Sequence, residues 1–299
     1  MASRVERFRG ALLGLAVCDA LGTTLEFRPP GSFKPLTDMI GGGPFHLAPG
    51  QWTDDTSMAL CLAESLIECG GFDPEDQMRR YLRWWREGYW SSTGVCFDIG
   101  GTTSAALANF ESSGDPFSGS DHEHSAGNGC IMRLAPVPMY YAHDEAQAVR
   151  ISGESSRTTH GSRICIDACR YMASILIGAL NGEPKKQLFA PERWNYGLLA
   201  LPIEQVQLGG FLVNSPPRIR GTGYVADCLE AALWAFALTD NFESGALKAV
   251  NLGDDADTTG AVYGQIAGAF YGESAIPQRW LDLLHRRDDI ASLAERLAR

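Results

Sequence analysis

The chain has 299 residues, 45% of them hydrophobic and 20% charged, which is the make-up of a soluble globular protein with room for one large domain or two small ones. A net charge of −11 argues against nonspecific nucleic-acid binding, which needs basic surface, and means an anionic ligand must find local help from helix N-termini, backbone amides or bound cations. Eight cysteines occur without a Cys-x-x-Cys pair, most within apolar helical patterns, which fits a reducing cytoplasm better than a disulfide framework.

In chain order, Arg4, Arg7 and Arg9 precede an apolar stretch, Ala11 to Val17, with Cys18 behind it, an arrangement superficially like an export signal. Glu6 interrupts the basic region and Val17 is a poor cleavage residue, so the stretch reads as a helix with Phe8, Leu12, Leu15 and Ala16 on one stripe, broken by Gly22. No run approaches the roughly 18 apolar residues needed to span a membrane. Thr53-Asp54-Asp55-Thr56 opens a second helical run through Met58, Leu62 and Leu66, ending near Gly70-Gly71. Residues 75–87 read as a surface helix carrying Tyr81, Trp84 and Trp85.

Glycine-rich turns follow at Asp98 to Ser104 and at Ser125 to Gly129. Such turns before a helix are commonly only turns, but their amides can also cradle phosphate. His122-Glu123-His124 sits in a polar loop and reads as solvated surface, and His160 in Thr158 to Ser162 reads on its own as a cap or packing residue. Helices are expected over 162–180, 225–239, 243–251, 277–286 and 288–298, with the proline-bearing region 185–222 looping over the surface.

Asp254-Asp255-Ala256-Asp257-Thr258-Thr259 opens the last long run, to Tyr271. Gly260, Gly264 and Gly268 recur there every fourth residue, each costing about 0.5–1 kcal/mol relative to Ala in a helix. Close backbone approach to a partner helix would offset that cost, and Gly10 and Gly14 carry the same spacing. The fold expectation is a compact all-α bundle, one domain over 1–299. Asp and Thr before a helix are ordinary caps, but one cap needs one such residue. Two over-provided clusters, offering only oxygen ligands, favour one shared site for hard cations such as Mg²⁺ or Mn²⁺. Five carboxylates brought together there, Asp54, Asp55, Asp254, Asp255 and Asp257, would repel until protons or cations neutralise them.

Five segments, taken in order, resemble the ADP-ribosylglycohydrolase family: RFRGALLGLAVCDALGTTLEF (7–27), GQWTDDTSMAL (50–60), AGNGCIMRLAPVP (126–138), THGS (159–162) and NLGDDADTTGAVYGQIAGAFYG (251–272). The resemblance implies an all-α fold with two Mg²⁺ or Mn²⁺ ions in a central cleft, ligated by Thr53, Asp54, Asp55, Asp255, Asp257 and Thr258. It places Glu26 and Asp98 beside the scissile ribose, Gly127, Asn128 and Gly129 on the pyrophosphate, His160 along the ribose, and Tyr224 near the distal part of the site. The implied reaction is hydrolysis at ribose C1″, releasing ADP-ribose from a protein side chain, arginine being the default acceptor. The expected partner is an ADP-ribosylated protein or an ADP-ribose-containing small molecule, acted on by a cytoplasmic monomer without membrane or nucleic-acid contact. A hydrolase of a free ADP-ribose derivative or other phosphorylated sugar, or a non-catalytic member, are the alternatives. Cys18 and Asp254 stand where relatives commonly carry glycine, and Asp254 could either support the metal cluster or cap the helix.

Overall fold

A computed structural model describes residues 2–298 and contains helices but, among the described residues, no strand, only isolated bridges. The helices are α1 (Arg4–Gly22), α2 (Asp54–Cys69), α3 (Pro74–Glu87), α4 (Gly101–Ser113), α5 (Pro136–Tyr140), α6 (Glu145–Arg157) and α7 (Arg163–Leu180). They continue as α8 (Lys185–Leu188), α9 (Leu201–Gln207), α10 (Val225–Ala237), α11 (Phe242–Val250), α12 (Ala256–Tyr271), α13 (Gln278–Leu283) and α14 (Arg287–Leu297). Each helix expected from periodicity is present, with ends shifted by one or two residues, except that the one expected over 277–286 stops at Leu283.

The architecture is organised around α1 and α12, which lie antiparallel with their backbones in contact. A Cβ added at Gly14 would stand 2.4 Å from the Gly264 carbonyl oxygen, and one at Gly264 would stand 2.1 Å from that of Gly14. The same reciprocity joins Gly10 to Gly268, and a Cβ at Gly260 would meet the Cys18 carbonyl oxygen at 2.7 Å. Gly22 closes the seam against Ala256. Cys18 therefore occupies a seam position and fits because its neighbours across the interface, Gly260 and Gly264, have no side chains. Helices meeting through larger side chains lie about 8–10 Å apart. By composition α1 is long and apolar enough to cross a bilayer, yet 89% of that stretch is buried inside the protein.

Around this pair, α7, α10 and α11 pack against α12, and α14 packs against α1. Helix α3 is less superficial than its charged pattern suggests: Tyr81 and Trp84 are buried, and the Arg133 guanidinium lies over the Tyr81 ring at 4.6 Å. Its charged residues form the outer face, whereas Gln77 is buried on the inner one and donates to Ser155 O and Thr158 Oγ1. The 185–222 region holds two short helices and carries exposed Leu198, Leu208 and Val213. His122-Glu123-His124 is exposed, with the His122 ring accepting from the His124 amide at 3.2 Å.

Gly264→Ala is expected to destabilise the protein by about 1–3 kcal/mol or more, since the new methyl overlaps a backbone carbonyl that cannot swing aside. Gly101→Ala, with open space around its Cβ position, should change stability by less than about 0.5 kcal/mol. Urea denaturation of both variants checks the contrast.

Candidate active site

The two acidic clusters converge at the end of the glycine seam, where α2 and α12 both begin. The N-cap positions of these helices are Thr53 and Asp255, and neither side chain caps its own helix. The caps come instead from elsewhere in the chain. Asp19, in the last turns of α1, accepts from the amides of Thr53 (2.9 Å) and Thr56 (3.0 Å) and from both hydroxyls (2.9 and 2.6 Å). Glu26 does the same for α12, accepting from the amides of Ala256 (2.9 Å) and Asp257 (3.5 Å). Because two outside carboxylates serve the helix ends, the clusters' own acids are left for other work.

Those acids gather in two groups with ligand oxygens within 4.8 Å of one another: Asp19, Asp55 and Asp257, and Glu26, Asp255 and Asp257. Asp257 belongs to both. Thr53 donates its single hydroxyl proton among Asp19 Oδ1, Asp55 Oδ2 (3.1 Å) and Asp257 Oδ2 (3.4 Å), so donors are fewer than acceptors. Asp55 Oδ1 is buried with no hydrogen-bond partner. An orphaned carboxylate oxygen within an oxygen-only donor set fits a hard divalent cation. Asp54 lines the cleft beside these groups without joining either.

Electrostatics point the same way. Burial first, and neighbouring carboxylates second, raise Asp98 to about 9 and push Glu26, Asp54 and Asp55 well above the carboxylate range. Burial also raises Asp257 to about 7 and Asp19 to about 6. Seven carboxylates therefore share the site: Asp19, Glu26, Asp54, Asp55, Asp98, Asp255 and Asp257.

Above the clusters opens a cleft of about 330 Å³, within the size range of small-molecule sites. Glu26, Asp54, Asp98, Asp255, Asp257 and Thr258 line its acidic side. Gly127, Asn128, Gly129 and His160 line the other, and Asn128 Nδ2 donates to Asp255 Oδ2 at 2.9 Å. Gly100 to Thr103, at the start of α4, complete the wall, and the Gly100 N-cap offers α4's first amides no side-chain acceptor. Phe27 stands at the mouth, 64% exposed, in an edge contact with Phe45, which itself packs on Phe97.

Three of the six non-glycine residues with positive φ among the described residues lie here. Phe27, Asp98 and Asp254 all have positive φ, at 59°, 59° and 55°. Phe27 N donates to Asp254 O (2.7 Å) and Asp254 N to Arg28 O (2.8 Å), tying the segment that carries Glu26 to the second cluster. That left-handed turn is why glycine suits position 254. The Asp254 carboxylate forms no hydrogen bond among the described residues, so it does not cap α12, and it lies outside both oxygen groups and off the cleft lining that Asp54 joins.

Twelve of the thirteen residues singled out from sequence meet at this site. Tyr224 does not line the cleft. It is part of a neighbouring cavity with Arg218 and Asp227, and its two chain neighbours tie it to the glycine loop, Asn128 N donating to Gly223 O and Val225 N to Ala126 O. Asp19 was missed, and its signal was there: a carboxylate in the middle of an otherwise apolar helical run.

The ADP-ribosylglycohydrolase family matches residues 1–299. ADP-ribosylarginine hydrolase Tri1 of Serratia proteamaculans is 43% identical over 295 residues, covering 98% of this chain and 79% of that protein. ADP-ribosyl-dinitrogen reductase glycohydrolase of Rhodospirillum rubrum is 33% identical over 286 residues, covering 93% and 90%. A solved structure described as an ADP-ribosylglycohydrolase-related protein complex superposes with a TM-score of 0.89 at 47% identity, over 99% of this chain and 98% of that one.

Without metal, stability should fall as pH rises. A carboxyl whose folded pKa is raised keeps a proton that the unfolded chain has already released near about pH 4. The loss therefore runs from there up through the folded values of about 6, 7 and 9 for Asp19, Asp257 and Asp98. Urea denaturation in EDTA measures the slope, and Mg²⁺ or Mn²⁺ should flatten it. Asp55→Asn should raise stability in EDTA while abolishing the gain from added cation.

Proposed function

The chain belongs to the ADP-ribosylglycohydrolase family, and we propose on that premise that it hydrolyses the bond between ribose C1″ and an arginine side chain, releasing ADP-ribose from modified protein. The observation that carries this reading is the pair of oxygen clusters sharing Asp257 at the foot of a cleft lined by Glu26, Asn128 and His160. The arginine acceptor is supported by the name of the Serratia proteamaculans relative. It is further supported by the exposed Phe27 face beside the carboxylates of Asp54 and Asp98, surroundings that suit a flat cation.

Two divalent cations, Mg²⁺ or Mn²⁺, held by Thr53, Asp54, Asp55, Asp255, Asp257 and Thr258 with Asp19 joining them, would neutralise the cluster, orient ribose hydroxyls and supply activated water. Glu26 then takes a proton as water adds to C1″, and returns it to the guanidine nitrogen as the C–N bond breaks. Its fixed bonds to the amides of Ala256 and Asp257 hold it at one position through both transfers. Asp98, fixed by its left-handed backbone, orients the ribose. The amides at the start of α4 and the Gly127 to Gly129 loop take the diphosphate, which lets an acidic protein bind an anion. The reading includes a monomer of one domain and a cytoplasmic location, the last supported by eight cysteines left as thiols.

ADP-ribose release from matched arginine-linked and serine-linked peptides, with Mg²⁺, Mn²⁺ or EDTA, tests it. Release should occur from the arginine peptide and require metal. Glu26→Gln should lower kcat by about 10²–10⁴-fold. Failure with both peptides by folded, metal-loaded protein would move a free ADP-ribose derivative to the front. Phe27→Ala should raise KM for the arginine peptide by roughly 2- to 30-fold while leaving the affinity for free ADP-ribose unchanged.

A further inference from the structure

Arg133 is the most deeply buried arginine of the chain, at 1% exposure, and among the described residues it forms no ion pair. Its guanidinium lies on the Tyr81 ring, with Nη1 3.6 Å from Met58 Sδ, and Nη2 donates to Thr159 Oγ1 at 2.5 Å. A buried cation is costly, so one whose charge is not spent on a carboxylate is a feature to explain. Thr159 is also fully buried, and its hydroxyl makes one further contact, 2.8 Å from Nδ1 of His160.

The proton count in this chain of contacts has one solution. Arginine can only donate, so Thr159 Oγ1 accepts from it. The hydroxyl's own proton then has one acceptor in reach, His160 Nδ1. If Nδ1 carried a proton instead, the buried hydroxyl proton would have no partner, and the ring would face the guanidinium with a second donor. The imidazole is therefore neutral, with its proton on Nε2. That edge of the ring faces the glycine loop of the cleft: a Cβ at Gly129 would stand 3.1 Å from Nε2, and one at Gly127 3.4 Å. Nε2 has no hydrogen-bond partner among the described residues, and His160 lines the cleft.

We infer that Arg133, acting through Thr159, is a positioning residue that locks His160 as a neutral Nε2–H donor for an oxygen of the bound ligand, a ribose hydroxyl or phosphate. The unpaired guanidinium polarises that donor and sets one positive charge behind the ligand wall, opposite the seven carboxylates. Burial, opposed by the neighbouring Cys130 and aided by the Arg133 charge, holds the His160 pKa down at about 4, so the donor keeps its form throughout the neutral range. The ligand class rests on the ADP-ribose reading, whereas the tautomer can be read with no ligand present.

Long-range proton–nitrogen NMR of the full chain labelled with ¹⁵N-histidine tests the lock, His160 being assigned by its loss in His160→Gln. The expected result is an unprotonated Nδ1 and a protonated Nε2 from about pH 5 to 8. Thr159→Val, nearly isosteric, should put the proton on Nδ1 or mix the tautomers, and should weaken ADP-ribose binding in calorimetry about 5- to 20-fold. Thr159→Ser should keep both the wild-type tautomer and affinity. Arg133→Met, which keeps a stem over Tyr81, should mix the tautomers, and the Thr159 pair carries the test should that variant not fold. A wild-type ring protonated on Nδ1, or a Thr159→Val protein with unchanged tautomer or unchanged affinity, would overturn the inference.

Discussion

The contact between the α1 and α12 backbones is the constraint on which the rest of the structure depends. Asp19 sits near the end of one helix and Asp257 at the start of the other, and only an interface without side chains brings their oxygens within ligand distance. Glycines at four-residue spacing are poor helix formers, and each is tolerated because its missing side chain is filled by a carbonyl of the opposite helix. The packing energy of the core and the geometry of the site are set by the same atoms.

A second economy follows at the helix ends. Two N-termini point into one small volume, and their dipoles favour negative charge there. Were Thr53 and Asp255 to cap their own helices, their oxygens would be turned back on the backbone. Asp19 and Glu26 take over that task from neighbouring segments, at once completing the helices and adding carboxylates to the cluster. The left-handed turn at Phe27 and Asp254 then fixes where Glu26 can lie.

Much of this was legible in the sequence. Most long helices announced themselves through periodicity, α6 being an exception, the seam through glycine spacing at 10, 14, 260, 264 and 268, and the acidic, oxygen-rich site through two clusters. What could not be read was anything decided by tertiary partners. Asp19 looks like one polar residue within an apolar helix, and nothing local says that it will cap a helix thirty-odd residues on. Tyr81 and Trp84 lie on a helix whose charges suggest solvent, and their burial depends on what α3 packs against. Asp254 belongs to a cluster by sequence but is turned away by its own backbone. Arg133, inside an apolar segment, gave no hint that its partner would be a hydroxyl rather than an acid.

The division between seam and mouth also bears on how such a protein can change over generations. Residues along the glycine seam are held by backbone contacts with no spare volume, so almost any replacement is felt at the acidic clusters as well as in the core. Phe45 and Phe97 stand on loops outside that seam, touching one another and, through Phe45, Phe27 at the mouth of the cleft. Drift there is felt at the mouth, through Phe27, rather than along the seam. The scaffold thus leaves room for heritable variation around the mouth while the seam and the acidic clusters it positions are inherited unchanged.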